Sequence, residues 1–133
     1  MSRVPKCLML VTVCACVMAA GEDKKPSPTF AELLPLSMRD MSSTAGGPYH
    51  DAMAKTLIGK LSGVVTSCVH TWRDDGLEPF QAIVVVEADG KVKYIVVNSQ
   101  SSISKCIQGR LLRASFPQPP FAPYHDRMNF TFK

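Results

Sequence analysis

The usual sequence marks of an enzyme are missing from this chain of 133 residues. It has no Gly-X-Ser-X-Gly elbow, no phosphate-binding loop and no His-Glu-X-X-His, so the motif-borne routes to serine hydrolysis, nucleotide chemistry and zinc hydrolysis are excluded. Charged residues make up 20% of the chain and are scattered, with no basic stripe interleaved with aromatics. That excludes the usual electrostatic footprint of a nucleic-acid binder. Long hydrophobic runs are also lacking: the apolar stretch at residues 7–18 is too short to cross a bilayer as a stable helix. A Ser-X-X-Lys spacing at Ser102 and Lys105 lacks companion motifs and reads as the start of a helix. No catalytic residue, cofactor or metal is expected, and the chain is read as a non-enzyme.

What is present begins with a leader. Arg3 and Lys6 precede the apolar run, Ala19-Ala20-Gly21 supplies small residues, and Glu22-Asp23-Lys24-Lys25 turns abruptly to charge. This is the order of a secretory signal peptide over residues 1–20. Within it Val13-Cys14-Ala15-Cys16 resembles a lipobox, with Cys16 as the residue that would carry lipid. Ordinary cleavage after Ala19 or Ala20 is the competing reading, and both stay open. Without Arg3 and Lys6 the net charge of +4 falls to about +2, a solvated mixed-charge surface. Of five cysteines, Cys7, Cys14 and Cys16 lie in the leader and only Cys68 and Cys106 in the body. Export and a single pair of body cysteines predict one disulfide.

Residues 21–48 hold Pro26, Pro28, Pro35 and Pro48, the Ser42-Ser43-Thr44 cluster and Gly46-Gly47, a composition that predicts a flexible linker. Only Phe30-Ala31-Glu32-Leu33-Leu34 offers a helical turn there. Residues 49–133 then form the domain. Met53, Leu57, Leu61, Val64, Val65, Cys68 and Trp72 recur at steps of three and four, predicting one amphipathic helix over residues 50–72. Two β-branched runs flank Asp89-Gly90, predicting a hairpin over residues 80–99 with a type I′ turn. The first run is apolar on both faces; in the second, Val92, Tyr94 and Val96 share one face. A Ser-rich cap leads into a second helix striped by Ile103, Cys106, Ile107, Leu111 and Ala114, which Pro117 stops. Residues 127–133 alternate as a closing strand. The order helix-strand-strand-helix-strand predicts a two-layer α+β domain with a three-stranded antiparallel sheet. Cys68 and Cys106 fall on the apolar stripes of the two helices, which brings them into one layer.

Ser67-Cys68-Val69, Ala88-Asp89-Gly90-Lys91-Val92, Lys105-Cys106-Ile107, Phe116-Pro117 and Phe130-Thr131-Phe132 occur in an order and spacing that resemble the C-terminal domain family of TonB-like energy transducers, especially its two-cysteine AgmX/PglI branch. The resemblance covers residues 57–133. It implies the TonB C-terminal-like fold and a periplasmic setting. The Tyr-Pro element usual before the first strand of TonB proper is missing and the spacer is short, so coupling to a proton-driven motor is not implied.

A non-catalytic periplasmic protein-binding module, soluble or anchored to the outer membrane as a lipoprotein, is the leading expectation. Its partner would be another envelope protein, with no nucleic acid and no membrane contact beyond a lipid anchor. The alternative is a periplasmic immunity protein that neutralises a delivered toxin. Phe130 and Phe132 on a closing edge strand, with Phe116, Phe121 and Tyr124 in the Pro-rich segment before it, are the candidate contact residues. That segment has an equal reading as a staple between helix and sheet. Tyr49-His50-Asp51 and Tyr124-His125-Asp126 repeat one tripeptide. In separate loops the repeat reads as chance; only if the two met in space would it hold a ligand.

Overall fold

A computed structural model describes residues 27–133, so the signal-peptide and lipobox readings, Cys16 included, lie outside the described residues. The order is α1 (Phe30–Ser42), α2 (Gly46–Gly59), α3 (Ser62–Trp72), a 3-10 turn (Arg73–Asp75), β1 (Phe80–Val86), β2 (Val92–Val97), α4 (Ser102–Leu111) and β3 (Tyr124–Phe130). This is an α+β fold whose three-stranded antiparallel sheet has the order β2-β1-β3.

The largest departure from expectation is α1, which occupies the segment read as a flexible linker. Thr29 caps it: its hydroxyl accepts from the Glu32 backbone N–H, and its own N–H donates to the Glu32 carboxylate, each at 3.2 Å. That capping box satisfies two otherwise orphan groups. Pro35 sits inside the helix on its exposed side, where the carbonyl left without a donor can meet water. Leu33, Ser37 and Asp40, at helical spacing, are buried. Leu33 packs on Ile83 and Val85, with Tyr94 and Val96 alongside.

Helices therefore cover both faces of the sheet, and the two-layer expectation is corrected to three layers. The opposite face carries the main core. Phe80, Ala82, Val84 and Val86 of β1 meet Met53 of α2, Cys68 of α3, and Ile103, Ile107 and Leu111 of α4. The stripe expected for one helix over residues 50–72 is present, but the helix breaks at Lys60-Leu61. Both of those N–H groups turn back to the Thr56 carbonyl after the weak helix former Gly59.

The hairpin turn is not type I′. Asp89 keeps negative φ and Gly90 has φ 86°. Gly90 N–H donates to the Glu87 carbonyl and Glu87 N–H to that of Lys91, both at 2.9 Å, the pattern of a three-residue loop with a glycine bulge. A side chain at Gly90 would also collide with the Phe116 carbonyl, while Phe116 N–H bonds the Gly90 carbonyl. A register shift between Val85 and Val86 rotates Val92 onto the main-core face with Ile95, away from Tyr94 and Val96.

The closing strand is displaced as well. It spans Tyr124–Phe130 rather than residues 127–133 and pairs Phe130 with Phe80, the rings stacked at 4.9 Å. No helix among the described residues is long and apolar enough to cross a membrane.

Candidate functional site

Moving β3 three residues earlier turns the second tripeptide from loop into strand, where alternation separates its side chains. His125 points to the α1 face and Tyr124 and Asp126 to the opposite one. On the α1 face the Asp40 carboxylate takes both the His125 backbone N–H (3.0 Å) and its Nδ1 (2.8 Å), while the other Asp40 oxygen accepts from Arg39. On the other face His50 of α2 places Nδ1 2.8 Å from the Asp126 carboxylate. Tyr49 and Tyr124 meet edge to face at 4.6 Å. The Tyr124 hydroxyl donates to the Gly46 carbonyl (2.8 Å), and the Tyr49 hydroxyl to that of Pro117 (2.7 Å). Gly46 is required there, because a Cβ would strike the Asp40 carbonyl.

The two tripeptides therefore do come together, through Tyr49, His50, Tyr124 and Asp126. Asp51 stays exposed outside the cluster. Asp126 is fully buried, and its second oxygen has no hydrogen-bond partner. Burial pushes its pKa up to about 6, against the lowering effect of the His50 hydrogen bond. Burial first, then the Asp126 charge, pushes Tyr49 up to about 12; the same two causes head those that raise Tyr124. Both phenols stay protonated donors at neutral pH. His50 borders a cavity of about 320 Å³ lined also by Met41, Asp126, Arg127, Met128 and Asn129. Among the described residues no group of three or more His, Cys, Asp or Glu side chains is placed to hold a metal ion. What the geometry accomplishes is mechanical: two His–Asp bonds, one on each face of β3, fasten α1 and α2 to that strand.

The candidate contact residues separate by burial. Phe116, Tyr124 and Phe130 belong to the main core, so their side chains are not on a surface, and this corrects their reading as contact residues. Apolar burial drew them inward, and Phe116 does what the staple reading described. Phe132 is half-buried against the same core, and Phe121 alone is exposed, tilted against Tyr124 at 5.4 Å. Cys68 and Cys106 are bonded, with Cα atoms 5.8 Å apart. His70 is exposed on α3.

Both outer strands have an edge, and the two differ. In antiparallel pairs, residues alternate between bonding the neighbour and facing outward. The outward N–H groups of β3 at His125 and Arg127 are taken by Asp40 and by the Met41 sulfur (3.2 Å). Asn98 N–H bonds the Gln81 carbonyl, which sets the phase of β2 so that Ile95 and Val97 face outward. There only the Ile95 carbonyl is engaged by a side chain, accepting from Gln108 at 2.6 Å. Lys93 is exposed along this edge, and Lys91, also exposed, lies just before it where its backbone bridges Ser115.

The chain matches no protein-family model, no curated protein and no solved structure.

Proposed function

We propose that this chain is a non-catalytic periplasmic protein-binding module, resembling a TonB C-terminal domain, that takes an extended segment of an envelope protein along the outer edge of β2. The observation that carries this reading is the state of that edge. The half-buried Val97 faces its backbone outward with no partner among the described residues, whereas Ile95 beside it is buried and its carbonyl accepts from Gln108. Main-chain bonding to such an edge supplies affinity, and alternating side chains supply selection. Exposed lysines on an edge are a common guard against uncontrolled pairing. The β3 edge, favoured from the sequence, is covered by α1. The periplasmic setting is supported by the leader pattern and by the Cys68–Cys106 bond, which belongs to an oxidising compartment.

The test is capture from a periplasmic extract through a photo-crosslinking residue at Lys93, with and without Val97→Pro. Proline removes an outward N–H without breaking the β1 ladder. The expected result is one cross-linked partner, reduced at least about tenfold by Val97→Pro at a nearly unchanged melting temperature, a loss equivalent to one good backbone bond. Absence of a cross-link, or equal capture by the proline variant, overturns the reading. A captured toxin domain would redirect it to immunity.

A further inference from the structure

A cavity lies between α3 and α4, away from the His–Asp bonds. It is an open groove of about 910 Å³, with Trp72 and Val64 on the α3 side and Lys105, Gly109, Arg110 and Arg113 on the α4 side. Cys106 lines it, so the disulfide to Cys68 ties its two walls together. Its lining includes three cations and no acid, and none of the three is in an ion pair among the described residues. Arg110 and Arg113 at the end of α4 complement the helix dipole, and that could account for them alone. Lys105 sits near the start of α4, where the dipole disfavours a cation, and helix stability gives no reason for it. Gly109 faces open space: a Cβ there would meet nothing within 4 Å.

We infer that this groove docks an acidic segment of a partner protein, its carboxylates on Lys105, Arg110 and Arg113 and an apolar side chain on Trp72 and Val64. The inference rests on the protein-binding reading and adds the chemistry of the partner. An apolar floor inside a basic rim suits a segment that carries both acids and aliphatics, since rim charges choose and steer the partner while buried apolar contact holds it. The covalent tie between the walls keeps the groove formed before binding, which lowers the ordering cost.

Trp72 is the sole tryptophan of the chain, so its fluorescence reports the groove directly. The full chain is titrated with a short tryptophan-free peptide of Glu with interspersed Leu, with its Lys-for-Glu counterpart, and with phosphatidylglycerol vesicles. The acidic peptide should give a saturable change in Trp72 emission that weakens several-fold as salt is raised. The counterpart should give none. Lys105→Glu, Arg110→Glu and Arg113→Glu together should weaken binding at least about tenfold. Gly109→Leu should do the same by filling the groove, and since leucine favours helix over glycine its melting temperature should hold or rise.

A silent Trp72, an equal response to the lysine peptide, undiminished binding by either variant, or a response to the vesicles alone overturns the inference. If Trp72 is silent while capture at the β2 edge persists, the groove assignment fails and the module reading stands. If nothing is captured there either, both fail.

Discussion

On one face of the sheet, α2, α3 and α4 bury a continuous apolar layer fixed by one covalent tie between Cys68 and Cys106. On the other, α1 buries Leu33 with Phe30, Leu34 and Leu36 half-buried beside it, and holds β3 through the Asp40–His125 bonds and the Met41 sulfur. Apolar packing is spread over many contacts and degrades gradually when one is lost. A buried polar tie concentrates its contribution in one pair, and removing either member strands the other. The first face should therefore resist local change, while the second should open as a unit.

Breaking the covalent tie is the largest test of the apolar face. The bond closes a loop with a sequence separation of 38. On the chain-entropy model such a loop contributes about 4 kcal/mol. Cys68→Ser with Cys106→Ser should lower the melting temperature substantially and cooperatively, with all helices lost together. An unchanged melting temperature would show that apolar contacts alone fix this face. Alkylation of the native chain after denaturation without reductant should find neither cysteine reactive.

The polar face breaks differently. Asp40→Ala leaves the His125 N–H and ring nitrogen buried without an acceptor, at a cost of about 3 kcal/mol. Hydrogen exchange should then rise over α1 while α3 and α4 keep their protection, because the apolar cluster under α1, centred on Leu33, is much smaller than the opposite core. Uniform exchange across the domain would mean that the two faces are coupled and the comparison is wrong.

The same contrast explains what could be read from the residues. The apolar face was legible because its stripes, Met53 to Trp72 and Ile103 to Leu111, state their period directly, and the cysteines fall on them. The double-faced apolar run of β1 pointed to cover on both sides, but the covering helix was hidden behind Pro35 and the neighbouring glycines. Thr29-Phe30-Ala31-Glu32, a capping box, was the overlooked signal. The tripeptide repeat was visible, yet its meaning depended on β3 starting at Tyr124. Nothing in the local pattern gives that start, because the Phe80–Phe130 pairing that sets it spans most of the domain. Asp40 had no distinguishing sequence signal: an acid near a helix end is ordinarily solvated.

Asp126 gives the smallest effect and the sharpest test of how a buried carboxylate sits against an apolar layer. Burial raises it from 3.8 to about 6 in the folded chain, so between those values the folded state holds a proton that the unfolded state has released. Stability from this group is therefore gained as pH falls through about 6 and is absent above it, the reverse of a salt-bridged carboxylate. From pH 7 to 5 the gain is about 1 kcal/mol. Asp126→Asn keeps an oxygen for the His50 N–H and removes the titration. Subtracting the variant's pH–stability curve from that of the native chain should leave a slope confined to this window, with the native chain relatively more stable at the acid end. A difference curve that is flat, or that slopes the other way, would mean that the His50 bond outweighs burial and that Asp126 is held ionised.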